Sequence, residues 1–162
     1  MIAGADMKAG VVVISLLFLL FSCQASPYAP EQKVPPAPVY LEVHLMHENH
    51  SLLTPLSYKI FDTPRLYGEM VGHMGLLVVH NVGAPFEYSA YDLICPHDYP
   101  DRVAIEVIET EKGEALLTAK CPKCHTEYDI SMGMGQPIRG KGRYPLLQYP
   151  IQNQEYLLIV HN

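Results

Sequence analysis

Two short blocks, Cys95-Pro96-His97 and Cys121-Pro122-Lys123-Cys124-His125, carry three thiols and two imidazoles. Thiolate and imidazole are soft ligands that suit zinc or iron–sulfur rather than hard cations. Each Cys-Pro sets its sulfur at a tight turn, where backbone N–H groups can point at it. A disulfide is the competing chemistry in an exported chain. Three cysteines leave one over, however, and the neighbouring histidines then have no role. His44, His47 and His50 recur every third residue and read as a polar strand end and turn. His73, His80 and His161 stand alone.

The fourth cysteine, Cys23, closes a different feature. Val11 to Phe21 is an unbroken apolar run but for Ser15, with Lys8 before it and Ser22-Cys23 after it. A basic start, an apolar stretch and a small residue before a cleavage point make an export signal. The run is too short to span the roughly 30 Å hydrocarbon core of a bilayer. Leu20-Phe21-Ser22-Cys23 resembles a bacterial lipobox, which implies that Cys23 is the lipidated mature N-terminus. Residues 1–22 are thus expected to be a lipoprotein signal peptide. Residues 23–38 carry five prolines, which deny them helix or ladder bonds, and are expected to be an extended tether. The expected location is the bacterial cell envelope, on the periplasmic side or at the cell surface, held to the membrane by the N-terminal lipid.

The elements that must position the ligands occupy residues 39–162, read as one domain. The chain has 162 residues, 14 Pro, 11 Gly and 11 Tyr, which fits a small all-β domain with many turns. Its formal charge of -6 disfavours a nucleic-acid partner, since phosphate recognition needs a basic face. Strands are expected over 39–45, 75–81, 87–94, 127–130, 146–151 and 156–160, with a hairpin over 103–119. Residues 131–143 read as a glycine-rich loop, and only Arg65 to Val71 could be helical. Eight to ten short strands favour a small sandwich or barrel.

The two blocks and their surroundings resemble a Rieske domain. That family carries Cys-x-His, a spacer, then Cys-x-x-His-Gly-Ser-x-Phe/Tyr-Asp. Here the segments read Tyr91-Asp92-Leu93-Ile94-Cys95-Pro96-His97 and Cys121-Pro122-Lys123-Cys124-His125-Thr126-Glu127-Tyr128-Asp129. Gly133, Gly135 and Gly140, then Tyr144-Pro145-Leu146 and the closing strand to Val160, follow the family's order. The resemblance covers about residues 75–162. Cys124 stands where the family has its second His, His125 replaces the usual Gly, and the spacer of 23 residues is long. Lys141 takes the place of the covering-loop proline. The resemblance is to a divergent, exported lipoprotein form.

The resemblance implies a Rieske-like fold: a β-sandwich or barrel base from residues 39–91 and 145–162, and a smaller metal-binding lobe from 92–144. It implies a [2Fe–2S] cluster on Cys95, His97, Cys121 and Cys124, with His125 as the other candidate for the fourth ligand. Thr126 and Tyr128 would donate to cluster sulfur and raise its potential. The implied function is one-electron transfer with an unidentified redox protein. A Cys3His zinc site, or a fold with no metal, is the non-redox alternative. No nucleophile–base pair or phosphate loop is recognisable, so a carrier without its own substrate turnover is expected.

Overall fold

The computed structural model describes residues 32–83, 86–108 and 117–162. The expected signal peptide, the expected lipidation site at Cys23 and most of the expected tether lie outside them. Twelve strands form in the described chain: β1 (Val39–His44), β2 (Tyr58–Phe61), β3 (Met70–Val71), β4 (Leu76–His80), β5 (Tyr88–Asp92), β6 (Glu106–Ile108), β7 (Thr118–Lys120), β8 (Glu127–Asp129), β9 (Gln136–Arg139), β10 (Gln148–Tyr149), β11 (Ile151–Gln154) and β12 (Leu157–His161). The chain is all-β, with one 3-10 turn at His47–Leu53. Three antiparallel sheets of four strands result, in the orders β11-β12-β1-β3, β10-β5-β4-β2 and β6-β7-β8-β9. The first two sheets draw on residues up to Asp92 and beyond Leu147, and the third lies wholly between them.

The middle sheet serves two cores. Leu76 and Val78 of β4 pack into the core beneath the first sheet, with Leu41, Val43, Leu158 and Val160. Leu77 and Val79 point the other way, into the core of the third sheet with Tyr91, Ala119, Tyr128 and Ile130. A strand covered on both faces needs no polar alternation, which is why Leu-Leu-Val-Val runs unbroken. Every residue of β4 and β5 is buried.

Asp92 ends β5 and is fully buried. One carboxylate oxygen accepts from the N–H of His73 (2.7 Å) and the hydroxyl of Tyr149 (3.0 Å). The other accepts from the N–H of Ile94 (2.9 Å) and, more distantly, of Met74 (3.3 Å). A buried charge persists only when its lone pairs are satisfied. Gly72, at φ +77°, lets the preceding turn approach, since a Cβ there would overlap the carboxylate. Burial, with Asp92 alongside, pushes the Tyr149 hydroxyl up, so it remains a donor to Asp92 while accepting from the N–H of Ala37.

Residues 32–38 pack on the domain rather than standing off it as a tether. Val34 is fully buried, and the Ala37 carbonyl accepts from Asn162. Prolines prevent ladder pairing but not docking of an extended strap. The weak helix expected over Arg65 to Val71 is a loop entering β3. The Glu69 carboxylate accepts from the N–H groups of Arg65 (2.6 Å) and Leu66 (3.0 Å) and pairs with the Arg65 guanidinium (2.8 Å). That side chain supplies the acceptors a helix would take from its backbone, and Gly68 turns the chain at φ +92°. β9 forms inside the expected glycine loop, and β2 was not foreseen.

Asp92→Ala orphans four donors and should cost about 3 kcal/mol or more in denaturant unfolding, with Asp92→Asn intermediate. Burial opposes ionisation of Glu69, but the Arg65 and Leu66 hydrogen bonds hold its carboxyl below the usual range. Its contribution is therefore present above the ordinary carboxylate pKa and lost as pH falls through the lowered value. Glu69→Gln should flatten the acid limb of the stability–pH curve.

Candidate metal centre

Both cysteine blocks fold as turns of one design. In the first, the Ile94–Ala104 bridge and bonds from Cys95 N–H to Val103 O (2.8 Å) and Ile105 N–H to Leu93 O (2.7 Å) hold the loop base. The Asp98 N–H points at Cys95 Sγ. In the second, between β7 and β8, Cys121 N–H donates to Thr126 O and His125 N–H to Cys121 O, both at 3.0 Å. The N–H groups of Lys123 and Cys124 point at Cys121 Sγ. Proline after each cysteine has no N–H and presets φ for the turn. Each turn thus aims the side chains of its first and fourth residues together: Cys95 with Asp98, and Cys121 with Cys124.

The four side chains meet. The Sγ atoms of Cys95, Cys121 and Cys124 and a carboxylate oxygen of Asp98 all lie within 4.8 Å of one another. Cys95 Sγ stands 3.7 Å from Cys124 Sγ, and the Cys121 thiol is 3.1 Å from Asp98 Oδ2. Cys95 and Cys121 are buried, while Asp98 and Cys124 are half-buried. Three of the four expected ligands are therefore together. His97 is not in this group; its carbonyl accepts from Lys33 Nζ at 2.7 Å. His125 is exposed, at φ 58°.

Two hydroxyls border the sulfurs, at the positions expected from the sequence. Tyr128 Oη is 3.7 Å from Cys95 Sγ, and Thr126 Oγ1 is 3.2 Å from Cys124 Sγ. Thr126 Oγ1 also accepts from the Gly142 N–H at 2.9 Å. A Cβ on Gly142 would stand 2.6 Å from the Thr126 methyl, so only glycine lets this turn close over the site. Register shifts between Glu127 and Tyr128 in the β8–β9 pair, which bends the strand beside the site.

Burial governs the electrostatics of the group. Burial pushes the Cys121 and Cys95 thiols up. Burial would also raise Asp98, but thiol hydrogen bonds from Cys121, Cys124 and Cys95 hold it low. Burial and the adjacent Cys95 push Tyr128 up, leaving it a donor. Thiols that resist ionisation in a buried pocket become thiolates when a metal ion supplies the opposing charge. No disulfide joins the three cysteines.

The candidate ligand missed in sequence was Asp98. Its signal was present, since Cys-Pro-His-Asp and Cys-Pro-Lys-Cys share the spacing that makes both turns. Comparison with protein-family models, curated proteins and solved structures gives no match to this chain.

His125 holds a left-handed conformation that costs a residue with a Cβ about 1–2 kcal/mol, partly offset by glycine's larger unfolded entropy. His125→Gly should raise stability by about 0.5–1 kcal/mol in denaturant unfolding and leave metal content unchanged. Metal loss in that variant would make His125 a ligand.

Proposed function

We propose that this chain is a metal–thiolate protein of the cell envelope, holding one soft divalent ion on Cys95, Asp98, Cys121 and Cys124. The 3.7 Å between Cys95 and Cys124 sulfurs carries this reading. Tetrahedral zinc with Zn–S bonds of about 2.3 Å sets its ligand sulfurs about 3.8 Å apart. A binuclear cluster spreads its four ligands over two irons, so ligands of opposite irons stand further apart than those of one. The donor set here fits a single ion better. Zinc is the first candidate, because four protein ligands close its coordination shell and suit a structural role. The ion would tie the loop after β5 to the β7–β8 turn across a lobe whose strands run only three or four residues.

The second reading is the [2Fe–2S] one-electron carrier of Rieske type, serving an unidentified redox protein. The Tyr128 hydroxyl beside Cys95 Sγ favours it, as a hydroxyl donor there would tune an iron–sulfur potential. It requires His97 to turn inward and displace Asp98. Under either reading the lipid-bearing residue is Cys23, the location is the envelope, and substrate turnover is not part of the role.

Metal and acid-labile sulfide analysis of anaerobically prepared protein separates the two. One ion per chain and no sulfide are expected. Asp98→Ala should weaken binding by at least about tenfold, and His97→Ala should leave it unchanged. Iron with sulfide, lost in His97→Ala and kept in Asp98→Ala, would overturn the single-ion reading in favour of the cluster.

A further inference from the structure

We propose that the segment 131–144 is a membrane-docking surface that lies on anionic phospholipid headgroups. This rests on the anchored reading of Cys23, and adds to it an orientation of the folded domain. Three observations meet at this segment.

The first is exposed apolar surface. Met132 is 50% exposed, Met134 59% and the neighbouring Phe86 53%. Gly133 lies between the two methionines, where a Cβ would stand 3.5 Å from the Phe86 ring. The second is charge. Lys141 and Arg143 are exposed, and among the described residues neither has a carboxylate at ion-pair distance. Lys33 adds a third cation, bonded to the His97 carbonyl and 5.8 Å from the Tyr144 ring centre. By contrast, Lys120, Lys123 and Arg139 are paired with Glu127 or Asp101. The third is the path of the chain. Gln32, the first described residue, lines one cleft with Met134 and Phe86. Cys23 is nine residues upstream, a reach of at most about 30 Å.

Apolar side chains flanked by lysine and arginine are the pattern of a surface that sits in the headgroup layer. Anionic lipid offers the diffuse negative charge these cations lack within the protein. An anchor entering beside Met134 holds this segment, rather than the opposite edge of the first sheet, within reach of the bilayer.

The chain contains no Trp, so single indoles report position. The full processed chain, carrying Met134→Trp or Tyr67→Trp, would be reconstituted into vesicles containing phosphatidylglycerol and brominated lipid. Tyr67 is fully exposed on the loop leading into β3, at the opposite edge of the first sheet from β11. Emission from the Met134→Trp chain should be quenched roughly twofold or more, and that from Tyr67→Trp hardly at all. Adding Lys141→Glu and Arg143→Glu, or using neutral lipid, should relieve the quenching while the chain still floats with the vesicles. Floated chain with equal emission from both positions would overturn the docking and leave the anchor standing, with an acidic protein as the remaining occupant. Chain that does not float would overturn the anchor and the docking together.

Discussion

The buried carboxylate of Asp92 joins the parts of this molecule that must keep a fixed relation. It stands where β5 leaves the middle sheet and the first cysteine loop begins, three residues before Cys95. Its four donors come from the turn before β4, from Tyr149 of β10 and from the loop itself. Through Tyr149 it also reaches Ala37 of the N-terminal strap. No cationic partner stands within ion-pair distance among the described residues, and oriented N–H and O–H groups alone satisfy its oxygens. Such an arrangement tolerates little displacement, so the start of the ligand loop inherits the rigidity of the sheet.

The middle sheet extends that rigidity to the second loop. Because β4 and β5 pack on both faces, the core beneath the third sheet is built on the same strands that close the first. Cys95, Cys121 and Tyr128 belong to this second core. Cys95 and Cys121 are therefore packed side chains as well as candidate ligands. Three thiols at the edge of an apolar core cannot all ionise without a cation. Under the proposed reading, that condition would couple metal binding to the order of the lobe.

The two Cys-Pro turns show how a small lobe can present four convergent ligands. Backbone N–H groups approach sulfur in both, and the side chain three residues on is brought to the same point. In one turn it is a thiol, in the other a carboxylate. A hard oxygen beside three soft sulfurs is the weaker ligand of the set. It lies on the half-buried side of the site, as does Cys124. Exchange at the metal would start from that side.

Much of this was legible in the residues. The apolar run of β4 marked a strand, and the turn chemistry around Cys95 and Cys121 marked two turns that carry the cysteines. The division into a base and a nested lobe follows the sheets. Other features depended on partners distant in the chain. Whether His97 or Asp98 faces Cys121 is set by how far the first turn winds, and it winds so that Asp98 Oδ2 stands 3.1 Å from the Cys121 thiol. The Arg65–Glu69 spacing fits a helix equally well until Gly68 takes a left-handed turn and the carboxylate captures the local N–H groups. Val34 looks like tether until the base offers it a place to bury. Residue types and local spacing thus determined most of the elements and the two loops that carry the cysteines. Tertiary packing decided which side chain joins Cys95, Cys121 and Cys124, the fate of the strap and the role of Asp92, because each depends on contacts between segments that no local pattern encodes.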